Sequence, residues 1–259
     1  MKISVLTDNH AGSHTNAEHG LSYMIEFDGE RILFDTGQSD LFLKNAVTMN
    51  VIPGNNDMII LSHGHFDHGN GLSHLMGGRL ICHPGCFVKR FRRQDNISIG
   101  LENSKIELSS KFDLQTTDQP LKINENIYFL GEIPRLTGFE SQKTSFVFED
   151  GSPDFVMDDS ALVLIMPEGL FVVTGCGHSG IVNTLEYARK VTGIRKLYGV
   201  MGGLHLKKND VQTKETIKYI RENNLTHIFP SHCTELPALC AFHKAFSIRH
   251  LKTGDILTF

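Results

Sequence analysis

Short apolar runs, none much longer than one strand, punctuate this chain and limit what it can fold into. They fall at 21–27, 31–34, 58–61, 79–82, 127–130, 161–166, 169–174, 196–201, 226–229 and 255–259, and are rich in Ile, Val, Leu and Phe. Runs of this length and composition suit buried strands. The opening Lys2-Ile3-Ser4-Val5-Leu6 reads as another strand, turning polar at Thr7-Asp8-Asn9. Helices are expected at 39–49, 70–76, 84–93, 180–191, 211–223 and 234–245, with start signals at Ser39-Asp40 and Asn209-Asp210. Pro53-Gly54-Asn55-Asn56 reads as a turn. Such a mixture needs helices packed on sheet faces, so the expected class is α/β. The pattern is least regular from about 97 to 158, which is expected to be an irregular insertion over the mouth of a single domain spanning 1–259.

Composition narrows the function classes. With 259 residues and 40% hydrophobic content, the chain can bury a substantial core. Twenty-five basic against 29 acidic residues leave a net charge of −4, which gives no reason to expect nucleic acid or an anionic membrane as partner. No apolar run approaches the ~20 residues that span a bilayer, and the first strand is too short for a signal-peptide core. Five cysteines cannot all pair, and their spacing does not repeat, so a reducing, cytoplasmic setting is expected. The partner left is a small-molecule substrate.

The chemistry concentrates in LSHGHFDHGNGL, Leu61 to Leu72. The strand 58–61 delivers its end to a loop in which His63 and His65, two residues apart in extended chain, face the same way. Gly69-Asn70-Gly71 permits a turn that carries Asp67 and His68 toward a second ion. A lone histidine at a strand end is ordinarily a solvated loop residue. Three histidines and an aspartate at H-x-H-x-D-H spacing form a coordination shell for transition metals, for which imidazole and carboxylate are suitable donors.

H-x-H-x-D-H at a strand end resembles the signature of the metallo-β-lactamase superfamily. ILFDTG (Ile32 to Gly37), LFVVTGCGHSG (Leu170 to Gly180) and HIFPSHC (His227 to Cys233) resemble its first, fourth and fifth motifs, in the right order over nearly the whole chain. The resemblance implies a four-layer αββα sandwich, with two mixed β-sheets, outer helices and metals at one edge between the halves. It implies that His63 and His65 bind one ion and that Asp67, His68 and His232 bind the other. Asp35 would hydrogen-bond a ligand ring and set its tautomer. Two departures stand out. No histidine lies between His83 and His178, where the family places its third-motif ligand, and Cys176 occupies the place of the bridging aspartate. His178 is expected to supply a missing ligand, while Cys176 either binds as a thiolate or lines the site. AEHGLSYMIE, GEIPRLTGFE, GCGHSGIVNT, GGLHL and SHCTE further resemble a subgroup similar to an archaeal dihydropterin-methyl-ribofuranosylaminobenzene-phosphate synthase and its bacterial relatives.

Other residues carry weaker signals. His205 closes VMGGLHL at a strand end and is expected in the site as ligand, substrate contact or acid; its ordinary alternative is a strand-capping histidine. His19, in EHGLS, is either an acid of the site or a loop residue. Arg135, in the loop over the mouth, is expected to contact a substrate anion. The basic run Lys89 to Arg93 reads as a solvated helix face or a phosphate contact. Cys82 to Cys86 reads as a strand end entering a helix.

The expected function is a metal-dependent hydrolase acting on an anionic, phosphate-containing small molecule through a metal-activated water. Asp67 would orient the water, and His205 or His19 would assist the leaving group. One or two divalent transition ions are expected, zinc first, with iron or manganese as alternatives. The second reading is transfer, in which a dihydropterin-methyl diphosphate condenses with a ribofuranosylaminobenzene phosphate and Phe139, Phe146 and Phe148 line a flat pocket. A non-catalytic or redox metal protein is the third.

Overall fold

The computed structural model describes residues 1–54 and 57–259, so Asn55 and Asn56 of the expected turn lie outside the described residues. In chain order the elements are β1 (Lys2–Thr7), β2 (Ser22–Phe27), β3 (Glu30–Phe34), α1 (Leu41–Met49), β4 (Met58–Ile60), α2 (Phe66–Gly69), β5 (Arg79–Cys82), β6 (Arg90–Arg92), α3 (Lys105–Lys111) and β7 (Asp113–Thr116). There follow β8 (Leu121–Asn124), β9 (Ile127–Phe129), β10 (Phe146–Phe148), β11 (Pro153–Asp154), β12 (Ala161–Met166), β13 (Gly169–Thr174), α4 (Ile181–Thr192), β14 (Leu197–Gly203), α5 (Val211–Glu222), β15 (His227–Ser231), α6 (Leu236–Phe246) and β16 (Ile256–Thr258). Among the described residues no helix is long and apolar enough to cross a membrane.

The chain divides into two compact units. The first comprises Met1–Thr117, Ser145–Asp154 and Leu251–Phe259. Its larger sheet runs β16-β1-β2-β3-β4-β5-β7. The pairs from β3 through β4 and β5 to β7 are parallel, and the others are antiparallel. α1 turns Phe42 and Ala46, four residues apart on one helix face, into a core with Leu6, Met24, Leu33 and Ile59. A smaller sheet, β11-β10-β6, belongs to the same unit.

The second unit comprises Asp118–Thr144 and Phe155–His250. Its sheet runs β15-β14-β13-β12-β9-β8, with β13, β14 and β15 parallel. β12 and β13 form a tight antiparallel hairpin, paired from Ala161↔Thr174 to Met166↔Gly169. α4 buries Ile181, Leu185 and Ala188, spaced four and three residues apart, in a core with Val163, Val172 and Val200. Burial of each large aliphatic side chain stabilises by ~1.5–3 kcal/mol, which makes this apolar stripe the main anchor of the helix. Both sheets are mixed and carry helices, as the α/β expectation required.

Three local expectations are corrected. The expected helix 84–93 is a short 3-10 turn at Pro84–Phe87 followed by strand β6. β6 pairs with β10, and Arg90 is buried against Asp154, a partner 64 positions away that local periodicity cannot register. The segment 97–158 is not irregular throughout: it supplies β7 to one large sheet and β8 and β9 to the other. β9 is the strand expected at 127–130, whereas β7 and β8 are short and partly exposed, so they lack apolar runs. The helix expected at 70–76 begins earlier, at Phe66, and continues as a 3-10 turn to His74.

Candidate metal centre

In the first unit, functional side chains follow the carboxyl ends of adjacent parallel strands, where open α/β sheets place their ligands. Asp35 comes directly after β3, and Ser62, His63 and His65 come just after β4. The Asp35 backbone is left-handed (φ 57°) and its N–H donates to the carbonyl of Ile60, which turns its carboxylate toward the next loop. One carboxylate oxygen accepts from the Ser62 amide at 2.7 Å. The other accepts from the Ser62 hydroxyl and from His68 Nδ1, each at 2.7 Å.

This network sets the ring tautomers. A carboxylate accepts, so His68 carries its proton on Nδ1 and leaves Nε2 unprotonated. The Ser62 hydroxyl donates its proton to Asp35, so its oxygen accepts from His63 Nδ1 at 2.9 Å. His63 therefore also presents Nε2, which lies 2.9 Å from His65 Nδ1. The rings of His63 and His68 are 4.2 Å apart between centroids. Burial, with help from His68 and His65, holds His63 well below its ordinary pKa, so it is the neutral imidazole that a metal requires. Asp67 Oδ2 lies 3.0 Å from His19 Nε2 and 3.8 Å from His68 Nε2. Gly64 keeps the loop tight, because a Cβ there would stand 2.0 Å from the carbonyl oxygen of Cys86. Phe146 meets the His65 ring edge-on at 5.0 Å.

In the second unit the same rule operates on β13, β14 and β15. Cys176, His205 and Cys233 each lie two residues past a strand end, and their donor atoms fall within 4.8 Å of one another. The rings of His178 and His205 are 4.2 Å apart. His205 and His232 have left-handed backbones (φ 49° and 50°), which for non-glycine residues cost energy and mark over-determined sites. Desolvation would raise the Cys233 thiol. Hydrogen bonds with Cys176 and His205, and the charges of His232 and His205, outweigh that and hold it well below its ordinary pKa. A cavity of about 310 Å³ is lined by Phe139, Gln142, Lys143, Gly177 and His205, among others.

The loop before β10 braces this turn. Glu140 is fully buried and accepts from the amides of Val182 and Asn183, at the start of α4. Ser141 donates to the carbonyl of His178 at 2.8 Å. Arg135, expected to contact a substrate anion, instead donates from Nε to Ser141 and from Nη2 to the carbonyls of Phe155 and Val156. Its donors tie the loop. Burial pushes the Asp159 carboxyl up to about 6, against opposing hydrogen bonds from Ser179 and the charge of Arg135. The basic run lies on and beside strand β6 instead of a helix face, with Lys89 paired to Glu149, Arg90 to Asp154 and Arg92 to Asp95.

The donors fit a transition ion. In the first unit, unprotonated imidazole nitrogens and a carboxylate sit together, and the opposite edges of the His63 and His68 rings are anchored as metal-ligand rings usually are. Sequence reasoning missed Ser62 and Cys233. Each adjoins a motif histidine, in SHGH and SHC, and that adjacency was the available signal.

The model of the metallo-beta-lactamase superfamily matches residues 15–79. An uncharacterized protein of Methanocaldococcus jannaschii is 35% identical over 98% of this chain and 99% of its own length. The 7,8-dihydropterin-6-methyl-4-(beta-D-ribofuranosyl)-aminobenzene-5'-phosphate synthase of the same organism is 32% identical over 100% of this chain and 97% of its own. The crystal structure of a metal-dependent hydrolase of the beta-lactamase superfamily is 29% identical and superposes with a TM-score of 0.88, over 100% of this chain and 99% of that one. Full-length likeness to the synthase and to this structure, together with the motif loops described above, means that the chain has the metallo-β-lactamase fold and belongs to the metallo-β-lactamase superfamily, in a group similar to that archaeal synthase.

Proposed function

We propose that this protein is a metal-dependent hydrolase of an anionic, phosphate-containing small molecule. The observation that carries the reading is the Asp35–Ser62–His63 and Asp35–His68 network, which leaves both Nε2 atoms unprotonated and turned toward His65 and Asp67. Such orientation of rings has little purpose in a scaffold without metal. Likeness to a metal-dependent hydrolase of the same superfamily supports the reaction class. Family membership is the ground for the full ligand set. By that membership the ligands would be His63, His65, Asp67, His68, His178 and His232, with Cys176 where the family has an aspartate. Zinc suits these donors, with iron or manganese as alternatives.

A bound divalent ion would supply Lewis acidity and lower the pKa of water from 15.7 toward ~7. The chain's own residues do the rest. Asp67 accepts a hydrogen bond from the attacking water and fixes its direction. His19, 3.0 Å from Asp67 and partly open to solvent, is placed to pass a proton to the leaving oxygen. His205 borders the cavity as a second candidate acid. In the same cavity, Lys143 offers charge to a substrate anion and Phe139 offers a face to a flat ring.

Transfer is the second reading, favoured by the 32% identity with the synthase and by Phe139 at that cavity. Metal-reconstituted protein should be assayed for phosphate and diphosphate release from phosphomonoesters, diesters and diphosphates, with and without an arylamine acceptor. Metal-dependent release without acceptor supports hydrolysis. Release of diphosphate only when a pterin-methyl diphosphate and the arylamine are both present would establish transfer instead.

A further inference from the structure

His19 lies in the long connection between β1 and β2, and its side chain is 57% exposed. An exposed ring on such a segment would ordinarily swing freely. Here the backbone around it is held on both sides. The Gln38 side chain donates from Nε2 to the His19 carbonyl at 2.9 Å. The Gly20 amide donates to Asn9 Oδ1 at 3.2 Å, and the Leu21 amide donates to the Asp67 carbonyl at 3.1 Å. These bonds leave the ring beside Asp67, with Nε2 3.0 Å from Oδ2. The carboxylate accepts, so Nε2 carries a proton.

Glu18 closes the clasp from the other side. Its Oε1 accepts from the amides of Gln38 and Ser39 at 3.1 and 3.3 Å, and its Oε2 accepts from the Ser39 hydroxyl at 2.5 Å. That hydroxyl in turn accepts from the Leu41 amide, at the start of α1. Gly37 makes room for the carboxylate: its φ is 67°, and a Cβ there would stand 2.6 Å from Glu18 Oε1. One carboxylate thus ties the residue before His19 to the residue that holds the His19 carbonyl. The clasp fixes the direction of one exposed ring, which is of use only if that ring acts at a set point.

We propose that Glu18 and Gln38 are positioning residues that hold His19 as proton donor to the leaving oxygen, and that the substrate is accordingly a phosphate ester of an aliphatic alcohol. The inference rests on the hydrolase reading and names the substrate class of that site. The water oxygen bonds to phosphorus, and the bond from phosphorus to the leaving oxygen breaks with its electron pair on that oxygen. The imidazolium of His19 gives up its Nε2 proton to it, so an alcohol departs and a neutral imidazole remains for solvent to reprotonate. An alkoxide is too basic to depart without that proton, whereas nitrophenolate and diphosphate leave as stable anions. A fixed donor therefore serves the first class.

The test uses the metal-reconstituted full chain and pairs of phosphate esters that differ in leaving group, methyl or glyceryl against p-nitrophenyl. Glu18→Ala should lower kcat/KM on the alkyl esters by about 100-fold, the cost of misplacing a catalytic group by ~1 Å, and on the nitrophenyl esters by less than about threefold. Glu18→Gln should stay near wild type on both, since its Oε1 still accepts two amides and its N–H2 donates to the Ser39 hydroxyl. In a His19→Ala background Glu18→Ala should add no further loss, because it acts through His19. Equal losses on both leaving groups, a loss in Glu18→Gln as large as in Glu18→Ala, or a full further loss in the His19→Ala background would overturn the positioning role. Wild-type protein that cleaves nitrophenyl esters and anhydrides but no alkyl ester would overturn the substrate class. Absence of turnover on every substrate would instead sink the hydrolase reading and the substrate class with it, and amide exchange then decides the clasp. Glu18→Ala should speed exchange at Gly20 and Leu21 about tenfold and leave the His68 amide unchanged. Wild-type protection at Gly20 and Leu21 would refute it. Should Glu18→Ala not fold, Gln38→Ala, which loses the bond to the His19 carbonyl, should show the same leaving-group pattern more weakly. A uniform loss in Gln38→Ala, or none, would count against the proposal.

Discussion

Asp35 makes three hydrogen bonds in one buried place, and each has a different consequence. Through His68 it sets one tautomer directly, and through Ser62 it sets that of His63 at one remove. Replacement by Asn keeps the shape but puts an N–H2 where an acceptor is needed. Asp35→Asn should weaken metal binding by about 10–100-fold, the usual cost of losing a partner that orients a ligand. Ser62→Ala should weaken it less, since only His63 loses its anchor. Competition with a chromophoric chelator measures both, and equal affinity in wild type and Asp35→Asn would disprove the relay. His178 has a different standing. Its carbonyl is held by Ser141, and no histidine precedes it back to His83 to act as substitute. His178→Ala should therefore lower zinc stoichiometry and turnover more than Cys176→Ser does. Near-normal metal and turnover in His178→Ala would remove it from the ligand set.

At the scale of elements, α4 starts at the turn that carries Cys176 and His178, so its N-terminus is part of the site's frame. Its own N-cap is Gly180, which offers no side-chain acceptor, and the Glu140 carboxylate takes that role from another loop. A carboxylate at a helix N-terminus satisfies open amides and complements the helix dipole. Glu140→Ala should cost about 1–3 kcal/mol, because buried amides lose their acceptor. Urea unfolding measures this, and a loss under a few tenths of a kcal/mol would show that water replaces the carboxylate. α3 shows the local version of the same device. Ser104 accepts from the Glu107 amide and Glu107 reaches back to the Ser104 amide, a capping box within four residues.

For the molecule as a whole, stability should depend on Asp159. Its folded pKa is about 6 against an ordinary 3.8, so the native state holds that proton more tightly than the unfolded chain does. The contribution is fully present below pH ~4 and is lost as pH rises through about 6, an effect of order 3 kcal/mol. Asp159→Asn should remove that decline and raise stability at pH 7.5, as read from melting curves across pH 4–8. An unchanged pH profile would show that Asp159 is not the titrating group. Metal should matter less to the fold. Each unit has its own apolar core. His63→Ala/His65→Ala should accordingly lose metal while keeping its circular dichroism and a cooperative melt, unlike small zinc modules that unfold without their ion.

What the amino-acid order alone determined was whatever depends on neighbours in the chain. The strands β12 and β13, the helices α1, α4, α5 and α6, and the H-x-H-x-D-H loop all have periodicities or spacings within one window, and they lie where those patterns put them. β6 did not, because its place depends on pairing with β10 and on a buried Arg90–Asp154 contact. α3 carries a local capping box, but it buries Leu108 within a polar segment and so shows no apolar stripe. Tertiary structure alone decided which side chains share a network. Ser62 is an ordinary serine until Asp35 is brought beside it, and Cys233 is an ordinary cysteine until three parallel strands end together. Hydrogen bonds and metal sites need angstrom-scale proximity between residues tens of positions apart, and only the folded sheets supply it.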